Sequence, residues 1–334
     1  MKSLKKLIIL IALCVLLIIP QTGCGAKEPV SQEFFCLDTV CTITVYGQSQ
    51  SKAEDVITDA VQLCEDYENM LSRTVSGSDV DRINTAGCNF VEVSDDTVAV
   101  IEKGIEFGEL SGGEFDITIG AVSELWDFDA GVVPDESELH EAVKTVDYKQ
   151  IKIEGNNVAL GIEGAKLDLG GIAKGYIADR VTELLKENGV EQAIINLGGN
   201  VVTIGEKEEG TPWMVGIERP YTDRTEIIGA LEVADETVTT SGVYERCFEK
   251  NGKMYHHVLN PETGLPMETS AEAVTVQGPA GMSAESDAFG TMFLMLGKEA
   301  SGRILEKYPD FRVAFVDAND DISTLNDMRI APVE

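Results

Sequence analysis

Residues 165–205 read AKLDLGGIAKGYIADRVTELLKENGVEQAIINLGGNVVTIG, and three patterns follow one another within them. AKLDLGG is an apolar run that closes on paired glycines and predicts a strand. IAKGYIADRVTELLKENG then places Tyr176, Ile177, Val181, Leu184 and Leu185 on one face of a helix, with Gly189 set to close it. AIINLGGNVVTIG supplies two more apolar runs around a second glycine pair. Strand pairs therefore mix with helices without steady β-α alternation, which favours an α+β fold over a doubly wound sheet.

The flanks continue in the same manner. On the N-terminal side, CTITVYG alternates like a strand and ends on Gly47, and Lys52 to Leu71 repeats apolar residues at helical spacing. Ser94 is placed to cap a helix that runs to Ser111, where Gly112 and Gly113 stop it. A short helix is expected after Pro134 and Asp135, and IKIEG-NN-VALGI reads as strand, turn, strand. On the C-terminal side come a strand in AVTVQG, a helix from Met282 to Leu296, a second helix to Lys307 and a strand in FRVAFV. No repeat or linker separates independent domains, so the residues after the N-terminal segment form one large domain or two intimately packed lobes.

That N-terminal segment carries Lys2, Lys5 and Lys6, then an unbroken apolar run from Leu7 to Ile19, the length of a signal-peptide core and too short for a comfortable membrane span. Gly23 followed by Cys24 and a polar stretch looks like a bacterial lipoprotein processing site, with Gln21 where such sites usually carry leucine; ordinary secretory cleavage nearby or an uncleaved anchor would equally place the domain outside the cytoplasm. The expected organisation is a signal peptide over 1–23, a tether over 24–33 that starts at lipidated Cys24, and a folded domain over 34–334 outside the cytoplasm, held to the membrane by the lipid. Removing the three lysines takes the formal charge from −32 to −35. A surface so acidic repels phosphate backbones, which argues against nucleic-acid binding. Cys36, Cys41, Cys64, Cys88 and Cys247 show no CxxC or Cys/His metal spacing, and buried free thiols are expected.

Three features could carry chemistry. The glycine pairs in LDLGGIAKGY and INLGGN let backbone approach a ligand, and a helix start after the first offers amide donors to a phosphate; a tight turn alone would also account for either pair. Asp287 and Thr291 stand one helical turn apart and can share a hard cation, which needs few protein ligands if a nucleotide completes the shell; a polar stripe beside the core has the same spacing. His256 and His257 precede the turn Asn260-Pro261-Glu262-Thr263-Gly264, and either could move a proton or serve structurally.

These segments, in order, resemble the ApbE family of FAD:protein FMN transferases over nearly the whole chain after the leader. The matching stretches are LDTVCTITVYG, LSRTVSGSDVDRIN, GGEFDITIGAVSELW, LDLGGIAKGYIADRV, INLGGN, W-VGIERP with one residue between, TSGVYERCFEKNGKMYHHVLNPETGLP and AESDAFGTMFLMLG. The resemblance implies an α+β, T-fold-like arrangement of mixed sheets with flanking helices in two closely packed lobes. It implies transfer of FMN from FAD, the substrate, to a threonine hydroxyl of an acceptor protein with release of AMP. Magnesium would be held by the main-chain carbonyl of Gly171, the carboxylate of Asp287 and the hydroxyl of Thr291. FAD would be lined by Leu37, Thr74, Asn84, Glu114, Phe115, Asp116, Asp168, Lys174 and Leu259, and His257 would take the proton. The acceptor would carry a motif like (S/D)GxT(S/T), as on flavin-carrying subunits of membrane redox complexes. Leu37 replaces a frequent methionine, and Thr74 stands where other members often place an aromatic ring. Water in place of the acceptor would make the same site an FAD pyrophosphatase. A lipoprotein that only binds FAD would not need the full set of Gly171, Asp287, Thr291 and His257, and a scaffold protein would need none of it.

Overall fold

A computed structural model describes residues 28–207, 210–222 and 226–332; the expected signal peptide and Cys24 lie outside them. In chain order the strands are β1 (Val30–Cys36), β2 (Thr39–Val45), β3 (Val91–Glu92), β4 (Ile151–Glu154), β5 (Asn157–Leu160), β6 (Ala193–Leu197), β7 (Asn200–Ile204), β8 (Trp213–Glu218), β9 (Ile227–Val233), β10 (Glu236–Gly242), β11 (Cys247–Lys250), β12 (Lys253–His256), β13 (Ala273–Pro279), β14 (Arg312–Val316) and β15 (Ile322–Leu325). The helices are α1 (Gln50–Leu71), α2 (Asp79–Thr85), α3 (Asp95–Ser111), α4 (Gly120–Ser123), α5 (Glu136–Ala142), α6 (Ala173–Glu187) and α7 (Ser283–Leu305).

The main sheet has eight antiparallel strands in the order β1-β2-β6-β7-β10-β13-β14-β15. Side chains alternate between its faces. Cys41, Ile43 and Val45 of β2 with Ala193, Ile195 and Leu197 of β6 enter the large core, which also takes apolar residues of α1, α6 and α7. Val238, Ala273, Ala314 and Val316 enter a second core, completed by Ile217 of β8 and Leu231 and Val233 of β9. Val313 and Phe315 of β14 enter the large core and Ala314 and Val316 the second, and Val274 and Ala273 of β13 divide in the same way, so both faces of these strands are covered. A third cluster joins Val122, Trp126, Leu139 and Leu259. The mixed α+β class is as expected.

Local signals act where they were read. The Ser94 side chain accepts a hydrogen bond from Thr97 N at 3.0 Å, and Gly112 ends α3 in the left-handed region at φ 73°. Gly297, at φ 73° and ψ 171°, breaks α7 just after Leu296, the break expected between two helices.

Three expectations are corrected. Strand β1 begins at Val30, inside the stretch read as tether, because Val30 to Phe35 pair with Val40 to Val45. Residues 165–169 make no strand beyond one bridge, Lys166 with Ile119, and Gly170 and Gly171 sit in a turn; the segment is held by side chains and loop backbone instead. All five described cysteines are free, but only Cys36, Cys41 and Cys64 are buried, whereas Cys88 is exposed and Cys247 is half-buried.

Candidate active site

The approach of α6 to α7 builds the floor of a cavity of about 710 Å³. Gly175 permits it: a Cβ there would lie 2.1 Å from the Ser283 carbonyl oxygen, closer than any side chain tolerates. At this contact Gly175 N donates to Asp287 Oδ2 at 3.0 Å, leaving Oδ1 for another partner. Asp287 is 3 % exposed, and Thr291 follows it one turn along α7. The start of α7 has no cap of its own. The buried Asp179 carboxylate of α6 accepts from Ser283 N and Ala284 N at 2.9 and 3.1 Å, and burial raises its pKa against the pull of those amides.

The first glycine pair lies above this floor. A Cβ on Gly171 would meet the Phe115 ring at 3.0 Å and Thr291 Oγ1 at 3.8 Å, so Gly171, Phe115 and Thr291 are neighbours. Asp168 N donates to Ile117 O at 2.8 Å, and Asn84 grips Leu167 from both sides, with Leu167 N donating to Asn84 Oδ1 at 2.6 Å and Asn84 Nδ2 donating to Leu167 O at 2.9 Å. These bonds replace the missing strand ladder. The Asp168 carboxylate accepts from Gly170 N and pairs with Arg73 Nε, both at 3.0 Å. Lys174 Nζ donates to Gly170 O at 3.3 Å.

The opposite wall is the β1–β2 turn, where Leu37 and Asp38 take φ 58° and 57°, a hairpin conformation unusual for residues with a Cβ. Glu68 of α1 secures it by accepting from Leu37 N at 2.8 Å. The residues flanking the ribbon β11–β12 complete the lining: Arg246 before it and His257 after it, joined by His257 N donating to Arg246 O at 3.1 Å. Phe248 and Tyr255 stack across the ribbon and meet Phe128 and Trp126 below. His257 lines the cavity, while His256 points away and its Nε2 meets Met267 O at 3.1 Å. Burial, with the Arg246 charge second, lowers the His257 pKa to about 4, so the ring is neutral near pH 7.

Of the residues expected to contact FAD, magnesium or the proton, Leu37, Thr74, Glu114, Phe115, Asp116, Asp168, Gly171, Lys174, His257, Leu259, Asp287 and Thr291 all line this cavity. Asn84 does not; it acts on the Leu167 backbone behind it. Asp116 reaches the cavity with a carboxylate already bound to Thr118 N, Thr118 Oγ1 and Tyr148 N, so it shapes the loop. Glu114 Oε2, by contrast, is buried without a partner. Arg73 and Asp179 were missed. A carboxylate three residues after Tyr176, on the apolar side of α6, is the signal that could have flagged Asp179.

The donor set suits magnesium. Among the described residues no three His, Cys, Asp or Glu side chains converge on a metal position. The Gly171 carbonyl, the Asp287 carboxylate and the Thr291 hydroxyl are nevertheless hard oxygen donors on neighbouring residues, and magnesium commonly completes such a sparse set with phosphate and water.

Comparison with known proteins agrees with this arrangement. A family profile described as the ApbE family matches residues 37–315. The chain is similar to the FAD:protein FMN transferase of Treponema pallidum, at 32 % identity over 88 % of this chain and 87 % of that one. It is similar to a Klebsiella pneumoniae protein of the same name, at 34 % identity over 87 % and 91 %. Among solved structures, the ApbE protein of Thermotoga maritima superposes with a TM-score of 0.78 at 30 % identity, covering 89 % of this chain and 96 % of that one. The flavin transferase ApbE of Vibrio cholerae superposes with the same score at 26 % identity, covering 91 % and 97 %. With this match over most of its length, the chain belongs to the ApbE family.

Proposed function

We propose that this protein is an FAD:protein FMN transferase that works with magnesium and places FMN on a threonine of an acceptor protein outside the cytoplasm. One observation carries the reading: a single cavity gathers the hard-oxygen set of Gly171, Asp287 and Thr291, the cations Arg73, Lys174 and Arg246, and a half-buried, neutral His257. The named relatives support the FMN-transferring part of it.

In the proposed reaction the acceptor threonine Oγ attacks the FMN phosphorus of FAD, a bond forms from that oxygen to phosphorus, and the bond from phosphorus to the AMP oxygen breaks. His257 takes the hydroxyl proton, a role open to an imidazole that is unprotonated at neutral pH. Lys174 and Arg73 stand where they can meet the pyrophosphate oxygens, with Arg73 oriented by Asp168. The start of α6 brings Lys174 to this wall, while its backbone amides are largely engaged, Ala173 N with Leu169 O and Gly175 N with Asp287 Oδ2. Magnesium at Gly171, Asp287 and Thr291 would offset the charge of the pyrophosphate and of the departing AMP.

The placement outside the cytoplasm rests on the basic start, the apolar run and Cys24. Cys24→Ser is expected to abolish lipid labelling and release the protein from membranes. The reaction is tested by mixing the domain with FAD, magnesium and a protein bearing a (S/D)GxT(S/T) motif, then reading flavin fluorescence on a denaturing gel. Covalent fluorescence on the acceptor is expected; FMN and AMP in solution without it would leave an FAD pyrophosphatase instead.

A further inference from the structure

A second hollow, of about 310 Å³, lies on the other face of the main sheet. Successive residues of β7 show the relation: Asn200 lines the large cavity, and Val201, pointing the opposite way, lines this groove. The groove runs between the sheet and the β8–β9 pair, with Val40 of β2 on one bank and Val215 and Ile227 on the other. Val40 is 55 % exposed and Ile227 41 %. Phe35, opposite Val40 in the β1–β2 register and hence on the same face, is 71 % exposed and extends the apolar strip.

The two hollows join over the ends of β6 and β7. Gly198, Thr240 and Glu245 line both. A Cβ on Gly199 would meet nothing within 4 Å, so the turn between the strands is a low, open saddle. Glu218 and Glu245 add carboxylates to the groove of a chain whose formal charge is −32.

We propose that this groove seats an extended segment of the acceptor protein, with apolar side chains against Val40, Val215 and Ile227 and a basic residue near Glu218 and Glu245, so that the adjoining threonine passes over Gly199 into the cavity. The inference rests on the transferase reading, since only a protein substrate needs a bed for the chain on either side of its reacting residue. Continuity with the cavity and the sign of the charge select the occupant. A lipid surface rich in anionic headgroups would be repelled.

Two synthetic peptides test it, both carrying the threonine motif, one flanked by Val and Lys and the other by Asp. Binding of the fluorescein-labelled peptides to the FAD-loaded protein is followed by anisotropy, independently of turnover. The Val/Lys peptide is expected to bind at least about tenfold more tightly, equivalent to about 1.4 kcal/mol. Val40→Asn and Ile227→Asn, which remove apolar surface without adding charge, should each remove most of that preference while FAD affinity and thermal midpoint stay at wild-type values. Equal binding of the two peptides, or a preference that survives both substitutions, overturns the proposal. So does a dimer in gel filtration that Val40→Asn dissolves, because the face would then belong to a second copy. If the preference holds but no FMN reaches the peptide, the groove stands and the transferase reading is what fails.

Discussion

Asp287 and Thr291 stand on a helix whose first turns are almost wholly buried, whereas Arg246 and His257 stand at the root of a ribbon whose far half, Glu249, Lys250, Lys253 and Met254, is open to solvent. The difference lies in what holds each pair. Helix α7 is seated by the Asp179 carboxylate at its start, by the close approach of Gly175 and by a packed group of Phe107, Phe289, Phe293 and Phe311. The ribbon is held by its ladder, by the stack of Phe248 and Tyr255 on Phe128 and Trp126, and by single hydrogen bonds such as His256 Nε2 with Met267 O and Lys250 Nζ to Gly131 O. The helix pair thus belongs to the global core and the ribbon pair to a local unit, and the two can be perturbed separately.

The largest expected effect breaks the helix side. Asp287→Asn keeps an oxygen for Gly175 N but removes the charge, and FMN transfer and FAD hydrolysis should fall together by on the order of a thousandfold. Full activity in this variant with magnesium chelated would sink the metal reading.

His257→Ala is expected to slow transfer by about a hundredfold, the usual loss for a general base, with magnesium-dependent FAD binding intact. The acid limb of kcat/KM for the wild type should lie near pH 4, below the ordinary histidine range, because burial lowers the free-enzyme pKa to about 4. A limb at pH 6.5 would point to another base. The same shift has a stability consequence. Between about pH 4 and 6.5 the unfolded chain binds a proton at this position that the folded chain does not, so stability contributed by His257 is present above that window and lost as pH falls through it. In urea melts, His257→Ala should flatten the slope of stability against pH over the window.

The smallest effect sharpens the comparison. Phe248→Ala removes one ring of the ribbon's stack, worth about 1 kcal/mol for such a pair, and should slow transfer by about threefold to tenfold through loosened His257 while leaving magnesium and FAD affinity unchanged. If magnesium affinity fell as well, the ribbon and the helix would be one unit.

The sequence by itself determined the elements and most of the lining. Helix faces, the Ser94 cap, the Gly112 and Gly297 breaks and the strand pairs are set by periodicity, capping and left-handed glycines, all of which act within a few residues. The family motifs brought twelve of the named residues to one cavity. Only the tertiary structure decided what depends on distant chain: that the residues before Gly171 are held by Asn84 and Ile117 in place of a ladder, that Asp116 is occupied by Tyr148 N, that Asp179 seats a helix 104 residues further on, and that Asp287 meets Gly175 across 112 residues. It also decided between the adjacent histidines, turning His256 to Met267 and His257 to the cavity. The physical reason is common to these cases. A buried polar group must find a partner wherever packing supplies one, and packing joins residues that no local pattern connects.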